Sequence, residues 1–368
     1  MSALLDRARR EVDEGILPAC QLAVAQHGEI VVEAAFGDAT TDDRFLIFSA
    51  TKPVVAAAVW QLLAEGKLDV TQKVADLIPE FATNGKDVVT VEQVLLHTSG
   101  FPYAPLGPPR WAEREHRLER MAGWRLTWEP GSRFEYHATS AHWVLAEIIE
   151  RLDGDDYRAA IQRRVVEPLG LERFRLGIPP GEQGDVKRVV RTGEPPTAEE
   201  IEAATGMKGV TPEVLAGGLT DDLFVMLSEP DNVAVGVPGA GGVSTAADVA
   251  RFYQGLLANP GGLWDPAILA DATGNIRNSF PDPMLGHAAN RTLGLVMAGE
   301  DGKASMRGMG RTVSPGTFGH NGAGGQIAWA APAPGLSFGS LTNGTAAHLI
   351  RQWRRGPGLS NRAAACAR

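Results

Sequence analysis

Apolar residues in the first 70 positions recur at two different spacings, which predict a helix, a hairpin and a second helix. Residues 4–12 carry apolar side chains at helical spacing, and the segment ends before Gly15 and Pro18. Two apolar runs at 22–25 and 30–34 flank a short polar turn that contains Gly28, which predicts a β-hairpin. From Ala50 the apolar residues return to helical spacing and stop at Gly66.

The pattern changes beyond residue 68, where turns containing proline separate short helical stretches and strand-like runs become rare. Helices are predicted at 141–152, at 197–219 as a pair, and at 346–353, and strands are predicted at 293–298, 326–330 and 336–341. Strands at both ends predict an α/β domain built from residues 1–70 and 240–368. A mainly helical domain at 71–239 interrupts it.

Composition and charge exclude several classes of protein. The 368 residues carry 35 Lys and Arg against 44 Asp and Glu, a net charge of −9, which argues against a nucleic-acid partner. No apolar run approaches the roughly 18 residues that cross a bilayer, so no membrane partner is expected. Cys20 and Cys366 form no disulfide framework or zinc motif, and the eight histidines lack metal-ligand spacing. We therefore expect a cytoplasmic protein without metal or cofactor, whose oligomeric state the sequence does not specify.

Ser49 and Lys52 are the first candidates for chemistry. Residues three apart share a helix face, so the lysine amine can reach the serine hydroxyl. A neutral lysine can take the proton of a serine nucleophile, provided that a desolvated or cation-rich site lowers the lysine pKa. The alternative is a serine that caps the helix, followed by a solvated lysine.

Tyr136 and a glycine-rich segment at 319–325 are two further candidates. A tyrosine beside a lysine can shuttle protons, although a half-buried tyrosine with a bonded hydroxyl is the more common case. The glycines precede an alternating strand and allow close backbone approach, so the amide of Ala323 could pair with that of Ser49 as an oxyanion hole. The alternative is a glycine-rich turn with a solvated histidine, His320.

Aromatic residues gather in the predicted helical segment after a proline-rich loop. They could line an acyl pocket or pack in the core: Phe101, Tyr103, Trp111, Trp124 and Trp128. A second glycine cluster, 239–242, lacks the context of a dinucleotide-binding motif and is interpreted as a tight turn near the domain junction.

Several motifs together resemble the penicillin-recognising serine hydrolases, the superfamily of β-lactamases, DD-peptidases and family VIII carboxylesterases. The likeness spans residues 10–345 and is strongest to the class C-related branch. It rests first on Ser-x-x-Lys at 49–52, within the segment DDRFLIFSATKPVVAAAVWQLLAEGKLDV. The other motifs are LLHTSG at 95–100, PGSRFEY at 130–136, GAGGVSTAAD at 239–248 and FGHNGAGG at 318–325.

The resemblance implies an α+β, β-lactamase/transpeptidase-like fold: an antiparallel sheet flanked by helices, with a helical insert and the active site in the cleft between the two. It implies that Ser49 is the acylated nucleophile and that Lys52 and Tyr136 transfer protons. It further implies that Ser49 and Ala323 form the oxyanion hole. Substrate-binding roles are expected for His320, Asn321, Gly322, His137, Trp128 and Tyr103.

Two departures from the family pattern point to ester substrates. Ala138 stands where β-lactamases have the asparagine of Tyr-x-Asn, and His320 stands where they have a lysine. His137, Ser140 or His142 could supply the missing polar contact, with burial favoured for His142. The sequence therefore predicts a carboxylesterase acting on a small-molecule ester. The alternatives are an amide or peptide hydrolase, a weak β-lactamase or an acyltransferase on the same fold, and a binding module that has lost catalysis.

Overall fold

The computed structural model describes residues 1–206, 208–215 and 221–367. The strands in these ranges are β1 (Ala19–Gln26), β2 (Glu29–Gly37), β3 (Arg44–Leu46), β4 (Arg175–Leu176), β5 (Val186–Lys187), β6 (Val190–Thr192), β7 (Gly242–Ser244), β8 (Val296–Met297), β9 (Phe318–Gly319), β10 (Ile327–Ala331), β11 (Leu336–Thr342) and β12 (Gly344–Ala346). The α-helices are α1 (Ser2–Asp13), α2 (Lys52–Ala64), α3 (Val74–Leu77), α4 (Val91–Leu95), α5 (Arg114–Gly123), α6 (Ser140–Asp153), α7 (Tyr157–Ile161), α8 (Ala198–Thr205), α9 (Pro212–Leu215), α10 (Asp221–Leu227), α11 (Pro230–Val235), α12 (Ala246–Ala258), α13 (Pro266–Gly274) and α14 (Leu349–Ala364).

The main sheet joins the two ends of the chain. Its six strands lie in the order β2-β1-β11-β10-β9-β8, and every neighbouring pair is antiparallel. The predicted hairpin is present as β1 and β2, and β1 pairs on its other side with β11 over residues 20–26 and 336–342. The first and last parts of the chain therefore share one hydrogen-bonded sheet.

Side chains on successive positions of β1 face opposite sides of this sheet. Leu22 and Val24 pack with residues of α1 and α14, whereas Ala23 and Ala25 join the larger core that contains α12 and α2. Small residues let α12 approach closely: a Cβ added at Gly339 would lie 2.5 Å from the carbonyl oxygen of Ala246. The sheet is therefore covered by helices on both faces, as predicted.

The segment 71–239 is mainly helical but also contributes strands β4, β5 and β6. These pair with strands from outside the segment, β4 with β7, β5 with β3 and β6 with β12. The division into domains at 70 and 240 stays a prediction. Of the helix pair predicted at 197–219, α8 and α9 are present, and residues 207 and 216–219 lie outside the described residues.

Two predictions near the C-terminus were wrong in extent. The strand predicted at 293–298 is only β8, because Gly294 (φ 108°) forms a tight turn whose backbone passes against Ala56. The helix predicted at 346–353 begins later and continues through Pro357 to Ala364 as α14. Burial of Leu359 and Ala363 against the sheet outweighs the local preference of glycine and proline to end a helix.

Within the described ranges, no helix combines the length and the apolar character that a membrane span requires.

Candidate active site

Ser49 lies on a short 3-10 turn, Phe48–Thr51, between β3 and α2. Phe48 has φ 46°, a left-handed conformation that a bulky residue rarely adopts and that the surrounding core must hold in place. Ser49 is partly exposed, whereas its neighbours Phe48 and Ala50 are buried. The turn therefore presents the serine hydroxyl at the edge of the core.

Lys52 begins α2 and is fully buried, and its amine lies 3.2 Å from Ser49 Oγ. The same Nζ donates to the carbonyl oxygens of Ala138 and Gly239, each at 2.7 Å. Burial lowers the pKa of Lys52; Tyr136 opposes that shift and Arg291 adds to it. The sequence did not indicate that the turn at 239–242 supplies a carbonyl oxygen to this lysine.

Tyr136 lies beside the lysine, with Lys52 Nζ 5.0 Å from the ring centroid. Its hydroxyl oxygen is shielded from solvent and has no hydrogen-bond partner among the described residues. The ring also lies 4.9 Å from that of His97 and 5.9 Å from that of His320, between centroids. The structure thus brings Ser49, Lys52, Tyr136 and His320 together from three separate parts of the chain.

His320 is buried, and its Nδ1 lies 2.9 Å from the carbonyl oxygen of Asn321. Since a carbonyl only accepts, Nδ1 carries the proton and Nε2, which is buried without a partner, presents a lone pair. Burial lowers the pKa of His320 well below its ordinary value, and Arg291 and Lys52 add to that shift. The imidazole is therefore neutral at pH 7.

The backbone at 321–323 runs against the Ser49 turn. A Cβ added at Gly322 would lie 2.2 Å from the carbonyl oxygen of Ile47, so only glycine permits this approach. The Asn321 side chain donates to the carbonyl of Gly308 and accepts from the amide of Ala328, so it holds the loop. The amides of Ser49 and Ala323 donate to no acceptor among the described residues.

The other predicted substrate-binding residues are His137, Trp128 and Tyr103, which occupy different environments. His137 is fully buried: its Nε2 accepts from the amide of Phe101 at 3.1 Å, and its Nδ1 lies 2.7 Å from the carbonyl of Glu135. Burial lowers the pKa of His137 to about 4. Both nitrogens are occupied, so His137 has none left for a substrate, and it orders the backbone around it instead.

Trp128 and Tyr103 lie in different surroundings. Trp128 is half-buried, with its ring 6.0 Å from that of His137 and under the guanidinium of Arg133 at 4.1 Å. Tyr103 is 76% exposed, and its hydroxyl donates to Glu135. The structure therefore joins Trp128 to His137 and leaves Tyr103 at the surface.

Two more buried groups lie beside the catalytic candidates, and sequence reasoning missed the first of them. Arg291 stacks on the ring of Tyr136 at 5.2 Å, although no motif surrounds it in the sequence. His142 stacks on His97 with 6.0 Å between centroids, and both of its nitrogens are buried without a partner in the described part of the chain. Proximity to Lys52 adds to burial in lowering the pKa of His142. The sequence analysis favoured burial for His142 over a polar contact at the site, and the structure shows it buried beside Lys52.

The described residues contain no group of three or more His, Cys, Asp or Glu side chains arranged to hold a metal ion. The polar groups gathered around Lys52 and Tyr136 are instead imidazoles and a guanidinium.

Comparisons with known proteins agree with this geometry. A sequence model of the beta-lactamase family matches residues 5–355. The chain is 31% identical to esterase EstB of Burkholderia gladioli over 74% of this chain and 72% of the relative. It is 28% identical to the esterase/beta-lactamase LipL of Mycobacterium tuberculosis over 89% and 78% of the two chains.

Among solved structures, a penicillin-binding protein homologue from Caulobacter crescentus superposes with a TM-score of 0.77 at 25% identity, covering 98% of this chain and 97% of the other. A family VIII carboxylesterase superposes with a TM-score of 0.78 at 23% identity, with the same coverage. The chain therefore belongs to the beta-lactamase family and has the β-lactamase/transpeptidase-like fold that its motifs predict.

Proposed function

We propose that the protein is a serine carboxylesterase that cleaves small esters through an acyl-enzyme on Ser49. Lys52 acts as the base that activates the serine, and Tyr136 passes the proton to the leaving alcohol. The names of two relatives, esterase EstB and the esterase/beta-lactamase LipL, support an ester substrate.

The hydrogen bonds of Lys52 carry the proposal. A neutral amine has two N–H groups and one lone pair. The carbonyl oxygens of Ala138 and Gly239 accept both N–H groups, which leaves the lone pair for the proton of Ser49 Oγ at 3.2 Å. Burial without a carboxylate partner favours the neutral amine. This arrangement suits a general base better than an ammonium held for structure.

The reaction follows from these positions. Ser49 Oγ attacks the ester carbonyl carbon while its proton moves to Lys52 Nζ. The amides of Ser49 and Ala323 have no other acceptor and would stabilise the oxyanion that forms. As the C–O bond breaks, Tyr136 gives its proton to the alkoxide and regains one from Lys52. Water then attacks the acyl-enzyme by the same route in reverse, releasing the acid.

Two features favour an ester over a β-lactam. Ala138 offers only its backbone carbonyl, already bound by Lys52, so no side-chain amide is available to hold an acyl amide. His320 is neutral and supplies no fixed charge of the kind that the family's lysine gives at that position. An ester needs neither contact for acylation.

The proposal is tested by intact-protein mass spectrometry after incubation with a fluorophosphonate, on the wild type and on Ser49→Ala. One label per chain is expected in the wild type and none in the variant. Turnover of p-nitrophenyl butyrate should fall in the variant by about 10⁴-fold or more. Ser99→Ala is the matched control, because Ser99 pairs with His137 and should leave labelling intact.

Full ester turnover by Ser49→Ala would overturn the proposal. Labelling at Ser49 with nitrocefin hydrolysed faster than the ester would make the protein a β-lactamase. Neither labelling nor turnover would favour a binding module that has lost catalysis.

A further inference from the structure

Arg291 is an unusual arginine because it is buried at the active site without a partner. Its relative exposure is 9%, and its guanidinium lies 5.4 Å from the ring centroid of Phe134 and 5.2 Å from that of Tyr136. The backbone of Arg291 forms β-bridges with Asn278 and Val296. Its side chain therefore projects from a hydrogen-bonded segment and not from a free loop.

The guanidinium donates no hydrogen bond and forms no ion pair with any residue in the described ranges, and its Nε is sealed from solvent. Other buried arginines here are paired: Arg117 binds the carboxylate of Glu150, and Arg307 binds that of Asp301. An unpaired buried charge is costly, so proteins keep one where a ligand supplies the missing acceptor.

The charges around Arg291 are also unbalanced. Lys52 and the imidazoles of His97, His142 and His320 lie near enough for Arg291 to lower the pKa of each. The acid that acts on Arg291 from a distance is Asp282, and its Oδ1 accepts from the amide of Met284 at 2.8 Å within its own turn. The neighbours of Arg291 are therefore bases whose neutral forms burial favours, and no carboxylate among the described residues contacts its guanidinium.

We propose that Arg291 recognises a carboxylate on the substrate, so that the preferred substrates are esters that also carry a free carboxylate. A guanidinium binds a carboxylate through two parallel N–H groups, and its planar face can remain stacked on Tyr136 meanwhile. The free Nε2 of neutral His320 can only accept, so it cannot bind a carboxylate, and Arg291 supplies the anchoring charge.

This inference rests on the proposed esterase function and adds its substrate class. The carboxylate can belong to the acyl part or to the alcohol part of the ester. One pair of substrates tests each possibility. For the acyl part, mono-p-nitrophenyl glutarate is compared with p-nitrophenyl butyrate, which shares its leaving group. For the alcohol part, 4-acetoxybenzoate is compared with its methyl ester.

The measured quantity is the ratio of kcat/KM for the carboxylated ester to that for its neutral partner. In the wild type the ratio should exceed about tenfold in at least one pair, because hydrogen bonds to a charged group discriminate on that scale. Arg291→Met should reduce that ratio about 10- to 100-fold, and Arg291→Lys should keep part of it. Taking the ratio within each variant cancels any general loss of activity.

Arg354→Met is the control, since Arg354 is an exposed arginine on α14, and its ratio should equal that of the wild type. A wild-type ratio near one in both pairs, or a high ratio kept by Arg291→Met, would overturn the inference.

A binding measurement separates this inference from the proposed function. Mono-p-nitrophenyl glutarate is titrated by calorimetry into Ser49→Ala and into Ser49→Ala/Arg291→Lys and Ser49→Ala/Arg291→Met. Binding should weaken about tenfold or more with methionine and less with lysine, whether or not the wild type turns over esters. Equal binding by all three proteins would refute the role of Arg291 even if Ser49 labelling had established the esterase.

Discussion

At the scale of single residues, two buried lysines make similar contacts and yet differ in what they can do. Lys86 Nζ donates to the carbonyl oxygens of Thr83 and Trp124 and lies 3.1 Å from Thr83 Oγ1, three positions earlier in the chain. The Thr83 hydroxyl gives its proton to the carbonyl of Ala122, so it meets Lys86 only as an acceptor. Lys86 is thus held as an ammonium by three acceptors. Ser49 Oγ has no hydrogen-bond partner other than Lys52 among the described residues, so in the proposed mechanism its proton is free to move to a neutral Lys52.

This contrast predicts the pH dependence of the reaction. In the proposed mechanism the active form of Lys52 is the neutral amine, and burial lowers its pKa below the ordinary value of about 10.4. Hence kcat/KM should rise with pH through that lowered pKa and level off above it. The pKa of His320 is well below its ordinary value, so this residue should add no step near neutrality.

Lys52→Met should lower kcat by about 10²–10⁴-fold and remove the rising limb from a profile measured with a neutral ester. Lys86→Met is the matched control. Burial lowers the pKa of Lys86 to about 8, but this lysine does not contact Ser49, so the variant should lose stability and keep the shape of the profile. An unchanged rising limb in Lys52→Met would assign it to another group.

Residue spacing was enough to predict that Ser49 and Lys52 would meet, because three positions on a helix fix their separation. It could not predict Arg291, which reaches Tyr136 only through the fold of a segment 155 positions further along the chain. Nor could it show that His137 is occupied, since the amide of Phe101 that binds it comes from a different turn.

At the scale of elements, the approach of residues 321–323 to the Ser49 turn depends on a glycine. Gly322 donates its amide to the carbonyl of Gln326 at 3.1 Å, and Gln326 in turn is held by both backbone groups of Thr342 on β11. The sheet therefore holds the segment that carries Ala323, and the absence of a Cβ at Gly322 lets this segment approach the Ser49 turn.

Gly322→Ala should lower kcat about 10²–10³-fold, because the new Cβ would meet the carbonyl oxygen of Ile47 and displace the Ala323 amide, the proposed oxyanion donor. Steady-state kinetics with p-nitrophenyl butyrate and thermal unfolding are measured together. Gly316→Ala is the control, since a Cβ there meets nothing within 4 Å. Wild-type kcat in a folded Gly322→Ala protein would exclude Ala323 as an oxyanion donor.

The strands of the main sheet were predictable where apolar residues are continuous, as in β10, or alternate with small or polar residues, as in β11, and less so where tertiary contacts decide. β8 is two residues long because Gly294 turns against α2, and α14 extends past Pro357 because the sheet offers its far half a buried face. The contacts of Gly294 with α2 and of α14 with the sheet join residues far apart in the chain. A pattern in the local sequence therefore could not predict how far either element extends.

At the scale of the whole molecule, the two ends of the chain meet behind the active site. Arg355 of α14 is buried, lies 3.8 Å from a carboxylate oxygen of Glu11 on α1, and donates to the carbonyl of Gly324 at 3.4 Å. Gly325 has φ 96°, a left-handed conformation that favours glycine, and a Cβ there would also lie 2.4 Å from the same guanidinium. Arg355 thus links both terminal helices to the turn that carries Ala323.

Arg355→Met keeps most of the apolar stem and removes the charge, so it should cost about 1–3 kcal/mol of unfolding free energy. Because the Gly324 carbonyl loses its donor, kcat should fall while KM changes little, which separates positioning of the oxyanion turn from substrate binding. Arg351→Met, one turn earlier on the exposed side of α14, should change neither.

Equal losses of stability in both variants, or a stability loss in Arg355→Met with unchanged kcat, would mean that α14 only covers the sheet. A selective fall in kcat would mean that the terminal helices position the proposed oxyanion turn. They would do so at a distance, because no residue of α1 or α14 forms a hydrogen bond with Ser49 among the described residues.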